Sequence, residues 1–152
     1  MDSVDRKILE LLQQDASLTV KQIAARIHLS ATPCWKRIQK LESEGYIRAR
    51  VALLDPRLVD ADVTVFVAIK AAQHSTQWIE DFSRTVSDMP EVMEIYRMSG
   101  EIDYLLRVVV GSIAAYDAFY KRLVDRIALS DVTSSFAMEQ IKYTTALPLK
   151  AE

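Results

Sequence analysis

The chain has 152 residues, half of them hydrophobic, a formal charge of −2 and one cysteine. That is enough apolar material for two compact cores, and a lone thiol excludes an intramolecular disulfide and fits a reducing cytoplasm. No apolar run reaches the length of a membrane span, no charged-then-apolar signal opens the chain, and two isolated histidines and one thiol make no metal-ligand cluster.

Val4, Ile8, Leu11 and Leu12 recur at helical spacing and predict an amphipathic helix over residues 2–14. Thr19 caps a second helix, with Val20, Ile23, Ala24 and Ile27 facing inward. Only His28, Leu29 and Ser30 separate it from a third, the tight spacing of a helix-turn-helix. In that third helix Ser30 is the N-cap, Pro33 sits in the first turn where its missing N–H is harmless, and Gly45 ends the run. Cys34, Ile38 and Leu41 form an apolar stripe at i, i+4 and i+7 that must dock on something. Thr32, Trp35, Lys36, Gln39 and Lys40 fall on the opposite side, with Arg37 at the border. An exposed face mixing Lys, Arg, Gln, Thr and an aromatic suits a helix that reads the major groove. The alternative is an ordinary three-helix bundle with a solvated basic face. Tyr46 to Leu54 alternates and is β-rich, as a wing or linker strand would be. The candidate DNA contacts are therefore Ser30, Thr32, Pro33, Trp35, Lys36, Arg37, Gln39 and Lys40, with Arg48 and Arg50 beyond the helix.

Charge divides the chain further. Residues 1–50 carry nine Lys/Arg against six Asp/Glu, and residues 51–152 carry ten against fifteen. A basic module joined to an acidic one implies that only the first meets phosphate.

In the second half, Val63 to Ala71 reads as a strand and Thr76 to Asp88 as a helix with Ile79, Phe82 and Val86 inward. Met89-Pro90 stops that helix, Val92 to Met98 is a strand, and Gly100 turns the chain into another, Tyr104 to Val110. Ile113 to Ile127 is a helix with Tyr116, Tyr120, Leu123 and Ile127 on one side, and a final strand spans residues 132–143. The order is that of a ferredoxin-like βαββαβ domain, with both helices on one face of the sheet. Strands such as Val63–Ile69 and Leu105–Val110 are mostly apolar on both alternations, so the face without helices needs a cover. A second copy of the sheet is the simplest one, at about 800 Å² per partner for a stable interface. A two-fold dimer would present two reading helices to half-sites about 34–36 Å apart or a multiple of that.

The fold class expected is α+β: a winged helix-turn-helix over residues 1–50, a linker with a hinge strand over 51–62, and a ferredoxin-like effector and oligomerisation domain over 63–152. Other conspicuous residues read as ordinary. Cys34 is a buried packing residue rather than a redox switch, and His28 and His74 are solvated loop residues. Met89, Met93, Met98 and Met138 read as core filler, and Tyr104, Tyr116 and Tyr120 as core or interface. Trp35 either contacts DNA sugar or stacks on Tyr46.

Four stretches in order, Asp5-Arg6-Lys7-Ile8-Leu9, Ser30 to Gly45, Met98-Ser99-Gly100-Glu101-Ile102-Asp103-Tyr104 and Val132-Thr133-Ser134-Ser135-Phe136, resemble the Lrp/AsnC, or feast/famine, family of transcriptional regulators. The resemblance covers nearly the whole chain. Thr32-Pro33-Cys34-Trp35-Lys36-Arg37 and Ser135-Phe136-Ala137-Met138-Glu139-Gln140-Ile141-Lys142 are similar to a branch that includes cysteine-responsive members. What the resemblance implies is a sequence-specific regulator of an operator in double-stranded DNA, a homodimer assembling into rings of dimers such as octamers, responding to cysteine or a related sulfur amino acid. The effector would bind at contacts between dimers. Carried over by position, the effector site takes in Met98, Ser99, Gly100, Glu101, Asp103 and Tyr104 with Thr133, Ser134, Ser135 and Phe136. Such a site suits a zwitterion: Gly100 lets backbone N–H groups approach a carboxylate, and Asp103 offers an acceptor for an ammonium. The alternative for Asp103 is a carboxylate that merely caps its own turn.

No cofactor is implied. Nor is an enzyme: no nucleophile sits with a base, no carboxylates pair at suggestive spacing, and three glycines give no phosphate-cradling loop. The stronger rival is an architectural protein that wraps DNA with few base contacts and little effector response.

Overall fold

Asp2 starts the first helix, α1 (Ser3–Gln14), because its carboxylate accepts the N–H groups of Val4 and Asp5 at 2.9 and 2.8 Å, while Asp5 accepts the Asp2 N–H in return. Thr19 and Gln22 make the same reciprocal cap on α2 (Val20–Arg26). α3 (Ala31–Ser43) begins where expected, but Ser30 makes no side-chain cap bond, contrary to its expected role. Its backbone is extended like any N-cap, and Pro33 has already removed one of the N–H groups that a cap would satisfy. The turn between α2 and α3 is made by His28 in the left-handed region at φ 57°, and Gly45 at φ 79° ends α3. Ile8, Leu12, Leu18, Ile23, Ala24, Cys34, Ile38 and Leu41 form the core of the three helices. This computed structural model describes residues 1–149.

Close contacts divide the described residues into two units, Met1–Leu53 together with residues 141–149, and Leu54–Gln140. The tail meets α1 through the Gln13 side-chain amide. Its Nε2 donates to the Leu147 carbonyl at 2.8 Å, and its Oε1 accepts the Leu147 N–H at 2.9 Å.

The second unit opens with a 3₁₀ turn, Pro56–Leu58, and continues β1 (Val63–Ala71), α4 (Thr76–Ser87), β2 (Val92–Arg97), β3 (Tyr104–Val110), α5 (Ile113–Arg126) and β4 (Leu129–Phe136). The sheet is antiparallel throughout with order β2-β3-β1-β4, the ferredoxin-like arrangement expected from the sequence. Val65, Val67 and Ile69 of β1 and Leu106 and Val108 of β3 are fully buried against Phe82 and Val86 of α4 and Phe119 and Leu123 of α5. Alternation puts Phe66 and Ala68 of β1 and Leu105, Arg107 and Val109 of β3 on the opposite, helix-free face.

Three expectations need correction. Residues 46–54 form no strand: Val51, Leu53 and Leu54 are exposed, and no neighbouring strand takes their N–H and C=O groups. The last strand is Leu129–Phe136 rather than 132–143. It starts early because Leu129 reaches Ala71 past an irregularity at Lys70, and it ends at Phe136 opposite Val65, with one last bond from the Ala137 N–H to the Thr64 carbonyl at 2.9 Å. Of the four methionines read as core, only Met89 is buried; Met93, Met98 and Met138 are exposed.

Gly111 shows how tightly the approach to β1 is seated. A Cβ there would lie 2.5 Å from the Asp60 carbonyl oxygen, and Asp60 is itself in the left-handed region at φ 52°. Backbone cannot swing aside as a side chain can. Gly111→Ala is expected to destabilise the sheet domain by about 1–3 kcal/mol, read as a fall of its melting temperature. An unchanged melt would mean that the Asp60 turn moves freely.

Candidate nucleic-acid face and effector segments

The apolar phase of α3 is sunk in the helical core: Cys34 is fully buried and Ile38 and Leu41 nearly so. Burial pushes the Cys34 thiol pKa up, which suits packing and opposes a reactive thiolate. That anchoring leaves Thr32, Pro33, Trp35, Lys36, Gln39 and Lys40 exposed along the outer side, and Ser30 exposed at its start. Thr32, Lys36 and Lys40 follow one another at four-residue steps and so share one line along the helix. Trp35 and Tyr46 are each half exposed and do not pair as rings among the described residues.

The cations of this region differ in what already holds them. One Arg37 nitrogen, Nη1, lies 2.6 Å from both Asp2 and Asp5 of α1, and the Asp5 side chain is only 10% exposed. Asp5 also points from the apolar side of α1, three residues before Ile8 and seven before Leu12, so it needs this partner. The N–H of Asp5 and then the guanidinium of Arg37 hold the Asp2 carboxyl down at about 2. Asp2 and Asp5 in turn raise the Arg37 pKa. The guanidinium therefore braces α3 to α1. Arg50 pairs with Glu42 at 2.9 Å and Lys40 with Glu44 at 3.8 Å, both in the open, where such pairs contribute about 0–1 kcal/mol and yield readily to a stronger anion. Lys36 and Arg48 are exposed and make no ion pair among the described residues.

The segments expected to hold an effector lie at the sheet. The loop from Met98 to Asp103 is closed by the Met98 N–H donating to the Asp103 carbonyl at 2.8 Å. Asp103 also donates its N–H to the Ile69 carbonyl at 2.9 Å, and its Oδ2 accepts the Ala71 N–H at 2.8 Å. One carboxylate oxygen thus serves the end of β1, 32 positions away, rather than the backbone of its own turn. Gly100 sits at φ 125°, a conformation that L side chains rarely adopt, with open space around it. Met98, Ser99 and Glu101 are exposed, whereas Tyr104 is buried between Trp78 and Phe82 of α4.

β4 divides the remaining four residues between the two faces of the sheet. Ser134, opposite inward-facing Val67, shares a hydrogen bond with the Tyr116 hydroxyl, and Phe136 packs edge-on against the Tyr116 ring at 5.1 Å. Thr133 and Ser135 stand opposite Ala68 and Phe66 on the helix-free face. Tyr104, Ile69 and Val132 lie in one register row, with Phe136 four residues further along β4. That places Phe136 roughly 13 Å along the strand and two ~4.8 Å strand spacings from the loop. One amino acid cannot touch both ends within a single chain.

Sequence reasoning passed over two features. The Asp2–Asp5–Arg37 brace joins residues more than thirty positions apart, and its only sequence trace is an acid in the apolar phase of α1. The second is an open hollow of about 390 Å³ beside the start of β4, lined by Tyr120, Val124, Ile127, Leu129, Ser130 and Asp131 among others. Nothing in the spacing of those residues announced it.

Comparison with known proteins adds independent findings. A winged helix-turn-helix DNA-binding family model matches residues 1–48, and the Lrp/AsnC ligand binding domain model matches residues 64–147. The DNA-binding transcriptional activator DecR of Escherichia coli (strain K12) is 52% identical over 151 residues, covering 99% of each chain. The crystal structure of an AsnC family transcriptional regulator from Agrobacterium tumefaciens superposes with a TM-score of 0.95 at 62% identity, over 97% of each chain. A transcriptional regulator from Neisseria meningitidis in complex with L-Met superposes at 0.93 with 34% identity, over 97% of this chain and 96% of that one.

Proposed function

Since the chain belongs to the Lrp/AsnC family of DNA-binding transcriptional regulators, we propose that it reads an operator with α3 and changes its output when an amino acid binds where two dimers meet. Thr32, Trp35, Lys36, Gln39 and Lys40 face the groove, with Ser30 and Pro33 at the helix start. Arg48 and Arg50 hold phosphates beside it. Arg37 takes a positioning role, because Asp2 and Asp5 already share its charge. The observation that carries the reading is this division of cations: one is locked to α1, while those on the exposed line of α3 are free or weakly held.

A second copy covers the helix-free face of the sheet, where Phe66 and Tyr96 are 40% and 51% exposed beside Leu105 and Val109. The distance between the Gly100 loop and Phe136 favours a site completed by a neighbouring chain, and therefore rings of dimers, of which an octamer is one. The effector class is a small amino acid, with cysteine or a related sulfur amino acid proposed first. The Neisseria relative's complex with L-Met supports that class. A thermal-shift screen of the twenty amino acids tests it: a true effector at ~100 times its dissociation constant adds about 2.7 kcal/mol of stability. Twenty flat melts would remove the sensing role and favour an architectural, DNA-wrapping protein. That rival draws on the excess of cations over amide and hydroxyl readers near α3.

Lys36→Ala and Lys40→Ala test the reading face. Each is expected to weaken operator binding and to flatten the dependence of log affinity on log salt by about one unit for every phosphate that the lysine neutralised. Fluorescence anisotropy from 50 to 200 mM salt measures both. Identical affinities and slopes in both variants would place the DNA elsewhere.

A further inference from the structure

One polar cluster stands apart on the helix-free face of the sheet. Arg107 of β3 donates from Nη2 to Glu94 Oε1 of β2 at 2.8 Å, and the Tyr96 hydroxyl donates to Glu94 Oε2 at 2.8 Å. Arg107 then Tyr96 hold the Glu94 pKa below the ordinary carboxylate range. Around them lie Phe66, Ala68, Leu105 and Val109, so this apolar part of the face carries one cation and one anion in a single register row, while Lys70 and Asp131 share a row nearer the end of β1. The side chains are already 25% and 40% exposed only, before any partner arrives.

We propose that the Glu94–Arg107 pair decides which chain this face accepts: in the dimer it joins the same pair of the second copy in an alternating ring of charges. The inference rests on the sheet-to-sheet dimer proposed above. Arg107 belongs to β3, one of the two central strands, and the centre of an isologous interface lies against itself. Two guanidiniums brought together there repel unless a carboxylate stands between them, and Glu94 is placed to do so. Arg107 retains further N–H donors, and Glu94 further lone pairs, for the copy's groups. A chain with apolar or like-charged residues in this row would leave the pair buried without an answer, which is how a self-matching surface rejects others.

Four full-length chains test this by sedimentation equilibrium and by native mass spectrometry of tagged mixtures: wild type, Glu94→Arg, Arg107→Glu and the double exchange. Each single variant is expected to weaken self-association by about 100-fold, since like charges then face each other. Mixing the two single variants should restore a mixed dimer of wild-type strength, and the double exchange should pair with itself again. Rescue on mixing requires folded chains, so it separates repulsion from misfolding. If a single variant misfolds, Glu94→Gln and Arg107→Gln replace it, with about tenfold weakening of each expected. Variants that self-associate as the wild type does and mix at random would overturn the inference while leaving the dimer. A wild-type chain that stays monomeric would overturn the dimer and the inference together.

Discussion

Asp5→Ala is expected to lower the stability of the helical unit by about 3 kcal/mol, more than any other single change at its surface. The Asp5 side chain is nearly buried and holds both the Arg37 guanidinium and the Asp2 N–H. Removing it strips the half-buried cation of its inner partner and leaves only Asp2 at the rim. Asp2→Ala, by contrast, removes an exposed partner and a helix cap, and is expected to cost clearly less than Asp5→Ala. Replacing both ends of the inner pair, Asp5→Leu with Arg37→Met, should recover most of the loss, because the penalty lies in the stranded charge rather than in the absence of an attraction. Calorimetry of the four chains gives the cycle, and hydrogen exchange of the α3 amides assigns it to the helical unit. A loss under about 0.5 kcal/mol would make the brace an ordinary surface pair.

The same brace has a defined response to acid. The Asp2 carboxyl titrates near 2 when folded, against an ordinary value of 3.8. Its contribution is therefore complete above about pH 4 and drains away as the pH falls through 2. Asp2→Asn should flatten that part of the profile.

Asp103→Ala is the second large effect, because this side chain has two duties. One oxygen accepts the Ala71 N–H, and its loss leaves that donor without a partner, at about 1–3 kcal/mol. The other is the proposed acceptor for an effector ammonium, and its loss should abolish a coupling of about 1–3 kcal/mol between amino acid and operator. Asp103→Asn separates the two. The amide oxygen can still accept from Ala71, so stability should hold, while the missing charge should remove the effector response. An unaltered dose response in the asparagine variant would leave Asp103 only as the acceptor that holds the end of β1.

Periodicity made the helices and the first three strands readable to within a residue or two, since an apolar stripe repeats over neighbours in the chain. The buried Cys34–Ile38–Leu41 line and the exposed line opposite it follow from that repeat alone. The family motifs were likewise local strings. The end of β4 was not readable, because it depends on how far β1 and β4 stay in register, and the absence of a strand over residues 46–54 depends on whether folding brings another strand beside them, which alternation does not report. Met138 reads as core by composition and is exposed, because hydrophobicity says what a residue favours and not whether a surface is there to receive it.

Local pattern was enough for the two-part architecture, the three helices with the exposed polar side of α3, the ferredoxin-like order and the family. Folding alone brings Arg37 to Asp2 and Asp5, turns Ser134 and Phe136 towards Tyr116, and sets Leu147 against Gln13. The reason is range. Helix and strand patterns arise between residues a few positions apart, whereas a charge or a hydrogen bond is matched by whatever folding brings within about 3 Å, however far away it lies along the chain.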